Sequence, residues 1–243
     1  MYIDKSKKIV IKIGSSILID ANGKPKKKWL NEFIKDVKDL INKKKQVIIV
    51  SSGAIALGCN FLKINKKGLK VDKSQAVASI GQIELMDFYK RAFDKSKIKI
   101  SQILLTLEDT EQRRRALNAR RTIDNLLSMA VLPIVNENDT TATTEIKYGD
   151  NDRLAARVAQ VVGSELLILL SDVEGLYDNN PKNNKKAKLI EKVTNINSKI
   201  FKMSSSETND FGSGGMFTKI QAAEIASTFG CKTIIMKGNT NSP

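Results

Sequence analysis

A chain of 243 residues with 41% apolar and 28% charged residues can bury one sizeable core, which excludes global disorder and suits one large domain. It carries 41 Lys plus Arg against 26 Asp plus Glu and no histidine, so a Ser-His-Asp triad, a Cys-His dyad and any His-based metal site are excluded. Its two cysteines, Cys59 and Cys231, lie far apart without CxxC spacing, which argues against a zinc site or a disulfide scaffold and fits a reducing compartment.

The N-terminal residues MYIDKSKKIVIKIGSS do not read as a signal peptide. Their apolar stretch is short, is broken by Lys12 and lacks a small-residue cleavage site. A β-branched run at 8–14 reads as a first strand, ending in the Gly-Ser turn KIGSS. Residues 29–45 place Leu30, Phe33, Ile34, Val37, Leu40 and Ile41 on one helical face. A second strand, 46–52, runs into VSSGAIALG (50–58), whose glycine and hydroxyls lead into a helix N-terminus suited to an anion. Helical patterns cover 74–94 and 111–129, with a strand at 98–105 between them. The strand at 131–137 enters NENDTTATTEIKYGDNDR (136–153), an acid- and amide-rich loop with almost nothing apolar to bury. A helix follows at 151–162, then a strand at 165–171 ending in SDVEGLY. Two polar stretches, 178–187 and 204–215, read as loops. The Gly-rich GSGGMFTK (212–219) opens a helix at 216–229, and a last strand covers 231–236.

Strands alternating with helices predict an α/β fold, a mainly parallel sheet sandwiched by helices. The strand runs are mostly continuous rather than alternating, as expected when both faces are covered. No internal repeat and no convincing linker divide the chain, so 1–243 is expected to be a single domain. No apolar run approaches the roughly 20 residues of a membrane span, and the expectation is a soluble cytoplasmic protein with no membrane partner.

Forty-one cations could signal nucleic acid. Much of the charge is scattered lysine, at 26–28, 43–45, 66–67 and 185–186, in a chain also rich in Asn. That pattern reads more simply as solvated surface, so nucleic acid is the disfavoured partner. The same field suits small anionic substrates.

In open α/β sheets ligands bind beyond the carboxyl ends of strands. Here those ends carry glycines, hydroxyls and lysines. Taken singly, each Gly-Ser turn is ordinary punctuation. Lys12 is harder to dismiss, because a lysine inside an apolar strand must be paired or functional. Glycines admit close backbone approach to phosphates, and lysines neutralise a transferring phosphoryl group. Two other phosphate motifs are missing. GSGGMFTK has the wrong spacing for a Walker A loop, and no GxGxxG follows a strand.

KIGSS, VSSGAIALG, NENDTTATTEIKYGDND, LLSDVEGLY and GSGGMFTK, in this order, resemble the amino acid kinase family over essentially the whole chain. The second, third and fifth resemble more narrowly the members that phosphorylate the side-chain carboxylate of glutamate. That resemblance implies ATP as co-substrate, with Mg2+ bridging its phosphates, and glutamyl 5-phosphate as product at the start of proline synthesis. An acetylglutamate or aspartate kinase-like member is the alternative. A nucleic-acid-binding regulator on this scaffold is disfavoured, because both lysines and the acid-amide loop are intact. A nucleotide-monophosphate kinase is disfavoured by that same loop.

The resemblance implies roles position by position. Lys12 and Lys219 would flank the transferring phosphoryl group, with Asp152 organising the two lysines. Ser52, Asp139 and Asn151 would bind glutamate, Asp139 through the α-ammonium. Ser171 and Asp172 would bind the nucleotide. So would Ser213, Gly214, Gly215, Met216, Phe217, Thr218 and Lys219. No protein residue is expected as a metal ligand. Glu137, Glu145 and Asp150 are left without a role. A homodimer or homotetramer and feedback inhibition by proline are further implications of the resemblance. Many relatives carry a C-terminal PUA-type domain, which is not expected within 1–243. LLSD and GSGG have serine where the family commonly has threonine, and both keep the hydroxyl.

Overall fold

The continuous apolar runs become the strands of one parallel sheet. The computed structural model describes residues 2–66, 68–142, 151–179, 181, 184–205, 215–240 and 242–243. Its strands are β1 (Lys8–Ile13), β2 (Gln46–Ser51), β3 (Lys99–Leu105), β4 (Val131–Glu137), β5 (Leu166–Ser171) and β6 (Lys232–Lys237). They lie in the order β3-β4-β2-β1-β5-β6 and pair in parallel throughout. The described helices are α1 (Tyr2–Lys5), α2 (Ser15–Leu18), α3 (Lys27–Asn42), α4 (Ala54–Leu62), α5 (Val71–Asp94), α6 (Leu107–Glu111), α7 (Arg113–Ser128), α8 (Asn151–Val162), α9 (Ser198–Ser205) and α10 (Met216–Ser227). This is a single α/β domain with helices on both faces of the sheet.

The period-2 alternation of a strand sorts the core into two layers. Ile9, Ile11 and Ile13 of β1 join Trp29, Leu30, Phe33 and Ile34 of α3 and Leu85, Tyr89 and Phe93 of α5. Val10 of β1, with Ile48, Val50, Leu167 and Leu169, meets α8 and α10 on the other face. Every residue of β5 is buried, as its unbroken LLILLS run requires. The edge strands β3 and β6 are only partly covered.

Two helices of that first layer touch backbone to backbone. A Cβ on Gly81 of α5 would lie 1.8 Å from the Ala54 carbonyl oxygen of α4, and one on Gly58 would lie 2.1 Å from the Val77 carbonyl oxygen. Only glycine allows this crossing. At the entry to α4, Gly53 has φ +121, and a side chain there would also meet Ile19.

The structure corrects three boundaries. The helix expected over 111–129 is α7, and a short unexpected helix, α6, precedes it. Thr106 and Asp109 form a capping box that starts α6, and Gln112, extended at ψ 114, separates it from α7. The acid-amide stretch 136–153 is not all loop, because Asn136 and Glu137 end β4 while Asn151 opens α8. Its residues 143–150 lie outside the described residues. The loop expected over 204–215 yields its first two residues to α9.

The chain leaves β1 toward β2 on one side and leaves β5 toward β6 on the other. The crevice beyond the carboxyl ends of β1 and β5 is therefore the topological switch point, where such sheets bind ligands.

Candidate active site

Alternation along β1 decides where Lys12 goes. Ile11 and Ile13 face α3 and α5, so Lys12 shares the face of Val10 and reaches toward α8. The first turn of α8 presents Asp152, and α10 presents Lys219 early in its course. Lys12 Nζ lies 2.6 Å from Asp152 Oδ1, and Lys219 Nζ lies 3.1 Å from Asp152 Oδ2. The three side chains are 7%, 5% and 0% exposed, so the carboxylate is dry and its cations nearly so.

Burial by itself would raise the Asp152 carboxyl. The ammonium groups of Lys12 and Lys219 outweigh it and hold the carboxyl below the ordinary carboxylate range. The N-terminal end of α8 also favours a negative charge there. Thr218 Oγ1 lies 3.0 Å from Asp152 Oδ2 and 2.9 Å from the Gly215 carbonyl oxygen, and donates to one at a time. A residue expected only as a nucleotide contact is thus also a neighbour of the buried carboxylate.

A second cluster adjoins the first through the peptide between Asn151 and Asp152. Asn151 Nδ2 faces the Ser51 carbonyl oxygen at 2.7 Å, Ser52 Oγ at 2.9 Å and Asn136 Oδ1 at 2.9 Å. Asn136 Nδ2 in turn donates to Gln82 Oε1 at 2.7 Å. The Ser51 hydroxyl hydrogen-bonds the buried Tyr89 hydroxyl at 2.8 Å, which ties this end of β2 to α5. Ser52 and Asn151, both singled out by sequence, therefore come together.

Asn136 and Gln82 were not singled out by sequence. A signal for Gln82 existed, since it interrupts the buried stripe Val77, Ala78, Gly81, Leu85 and Tyr89 of α5. Asn136 is likewise a buried amide directly after the apolar run Val131–Val135 of β4.

Asp139 follows β4 and lines a cavity of about 250 Å³ with Gln82, Glu137, Asn138 and Thr140 among its walls. Burial pushes its carboxyl up to about 6. Gln82 reaches both this cavity and the amide cluster. Glu137 is buried on the same wall.

The nucleotide positions are spread more widely. Ser171, buried at the end of β5, donates to Asp172 Oδ1 at 3.2 Å, and its carbonyl accepts from the Gly238 N–H at 2.7 Å. Asp172 is exposed. Met216 packs with Leu176 and Ile220, so its side chain belongs to a small apolar cluster. Phe217 is 41% exposed, with its ring against Phe201 at 5.6 Å. Gly215 caps α10. Ser213 and Gly214 lie outside the described residues.

The model of the family described as "Amino acid kinase family" matches residues 7–237. A relative from Pelagibacter ubique, "Glutamate 5-kinase", is 63% identical over 243 residues, which is 100% of this chain and 66% of that protein. One of the same name from Rhizobium leguminosarum is 48% identical over 237 residues, covering 98% of this chain and 61% of the relative. The chain thus spans less than two thirds of the length of these relatives. Among solved structures, carbamate kinase from Giardia lamblia bound to AMP-PNP superposes with a TM-score of 0.66 at 16% identity, over 98% of this chain and 95% of that one. That likeness concerns the fold alone.

Proposed function

We propose that this chain, which belongs to the amino acid kinase family, transfers the terminal phosphoryl group of ATP to the side-chain carboxylate of glutamate. The observation that carries the transfer is the buried Lys12–Asp152–Lys219 cluster at the switch point. The choice of glutamate is supported by the name shared by relatives at 63% and 48% identity.

The chemistry needs little from the protein beyond position and charge. A glutamate side chain is already ionised at neutral pH, so no general base is required and a chain without histidine suffices. One carboxylate oxygen forms a bond to the γ-phosphorus as the bond from that phosphorus to the β,γ-bridging oxygen breaks. The products are ADP and glutamyl 5-phosphate. Lys12 and Lys219 neutralise the charge spread over the equatorial phosphoryl oxygens. Asp152 holds both ammonium groups in place, so they do not reorganise during the step. Asp139 takes the α-ammonium of glutamate, and Ser52 and Asn151 orient the substrate beside the lysines. Ser171, Asp172 and residues Ser213 to Lys219 hold the nucleotide.

Among the described residues no group of three or more His, Cys, Asp or Glu side chains converges as a metal site. Asp152 is already committed to two cations. The described residues do not form a protein cage for Mg2+, which would enter with the nucleotide phosphates.

Proline as a competing inhibitor at the glutamate site, and a homodimer or homotetramer in the cytoplasm, belong to the same proposal. Ile83 of α5 and Leu117 of α7, 71% and 43% exposed, support an interface on those helices. No described helix is long and apolar enough to cross a membrane. The test is ATP-dependent formation of glutamyl hydroxamate when hydroxylamine traps the acyl phosphate. The activity is expected in the wild type and lost in Lys219→Ala without loss of fold. Absence of the product from folded wild-type protein supplied with Mg2+ and ATP would overturn the proposal.

A further inference from the structure

We infer that Gln82 binds the substrate's α-carboxylate, its Nε2 completing with Asp139 a site for an α-amino-acid headgroup. The inference rests on the glutamate reading above and adds a residue to its binding site.

The amide polarity follows from one main-chain oxygen. The Ser51 carbonyl can only accept, so the Asn151 atom 2.7 Å from it is the NH2 group. That same NH2 faces Asn136 at 2.9 Å, so Asn136 presents its oxygen there and its NH2 at the far end. The Asn136 NH2 donates to Gln82, which must present Oε1. The remaining Gln82 atom is therefore Nε2, a donor, and its orientation is fixed by a chain of three amides. Gln82 is 8% exposed, and its Nε2 is buried without a hydrogen-bond partner. A buried donor without an acceptor is costly and rare.

Gln82 lines the cavity of about 250 Å³ that Asp139 also lines. That volume lies just below the roughly 300–1,000 Å³ of drug-sized ligand sites, as suits a ligand no larger than one amino acid. Glu137 and Asp139 give the cavity a negative character that favours an ammonium group. A ligand carboxylate entering beside them needs a donor. Gln102, on the same cavity, is exposed and served by solvent, and the Ser79 hydroxyl donates to the Ala76 carbonyl. Among the described residues, Gln82 Nε2 is the buried side-chain amide donor with no protein acceptor. An ammonium at Asp139 and a carboxylate at Gln82 describe the headgroup of an α-amino acid.

The test compares glutamate with 4-aminobutyrate, which keeps the amine and the distal carboxylate but lacks the α-carboxylate. KM for glutamate and for ATP, and the inhibition constant of 4-aminobutyrate, are measured for wild type, Gln82→Met and Gln82→Glu. Gln82→Met removes the donor at similar volume. Gln82→Glu keeps the oxygen that accepts from Asn136. The expected result is a rise of about 10- to 100-fold in KM for glutamate, the size of one hydrogen bond to a charged group. KM for ATP stays unchanged in both variants, and the inhibition constant of 4-aminobutyrate stays unchanged in Gln82→Met. A parallel loss for glutamate and 4-aminobutyrate, or a matching rise in KM for ATP, would make Gln82 a structural residue and overturn the inference. If one variant melts early, the other carries the comparison. Wild-type protein that does not phosphorylate glutamate refutes the underlying reading. Wild-type turnover with an unaltered glutamate-to-4-aminobutyrate ratio in the variants refutes the Gln82 assignment alone.

Discussion

Lys12 Nζ and Asp152 Oδ1 sit 2.6 Å apart with 7% and 0% of their side chains exposed. The strand supplies the cation and the first turn of α8 the anion, and Lys219 closes the cluster on the second oxygen. Replacing the anion strands two ammonium groups in a dry site. Asp152→Asn is expected to lose about 3–5 kcal/mol of stability in a denaturant titration, as when one partner of a buried pair is removed. Because the folded carboxyl is held below its ordinary value, its contribution is complete above the usual carboxylate range. It is lost only as pH falls through the lowered folded value.

Lys219→Ala acts differently, because Asp152 keeps Lys12 as a partner. The turnover rate is expected to fall by about 100- to 1,000-fold, the usual cost of one donor to a developing charge. Far-ultraviolet circular dichroism should be unchanged, which separates lost chemistry from lost fold.

Asp139 gives a pH signature. Its carboxyl is pushed up to about 6 by burial, so the charged form costs stability above that pH. Below the unfolded carboxylate value both states are protonated and the penalty vanishes. Asp139→Asn should therefore melt higher than wild type at about pH 7.5 and alike at about pH 3.

The same group should govern substrate affinity in the opposite sense. An ammonium needs the charged carboxylate, so kcat/KM for glutamate should fall as pH drops below about 6. In Asp139→Asn that break should vanish from the profile, and the affinity should be low throughout.

The α4–α5 crossing is a packing prediction. Gly81→Ala would set a methyl group 1.8 Å from the Ala54 carbonyl oxygen. The helices must separate, with an expected loss of about 1–3 kcal/mol or more by chemical denaturation. The displacement should also raise KM for glutamate, since α5 carries Gln82 and α4 follows Ser52.

The sheet was legible because its strands are unbroken apolar runs. All six lie within a residue of where the runs predict them, and β5, buried throughout, is the clearest. The helices α3, α5, α8 and α10 were legible from periodicity or from the motif that opens them. The short α6 was not. It depends on the Thr106–Asp109 capping box, a local contest that a continuous polar pattern hides. Lys12 stood out because a cation in an apolar strand must be paired or functional. Its partner Asp152 was reached through the resemblance; composition and spacing alone do not give it, because only the β1–α8 packing selects Asp152 from a crowd of acids. The amide chain from Gln82 through Asn136 to Asn151 was invisible for the same reason. Its members are scattered along the sequence and meet only where α5, β4 and α8 converge.

The central claim is the identity of the phosphoryl acceptor. The direct measurement offers glutamate, aspartate and acetylglutamate separately to the protein with ATP, Mg2+ and hydroxylamine, with and without proline, and quantifies each hydroxamate. Product is expected from glutamate, little from the other two, and a lower yield from glutamate when proline is present. Product from aspartate or acetylglutamate with none from glutamate would contradict it.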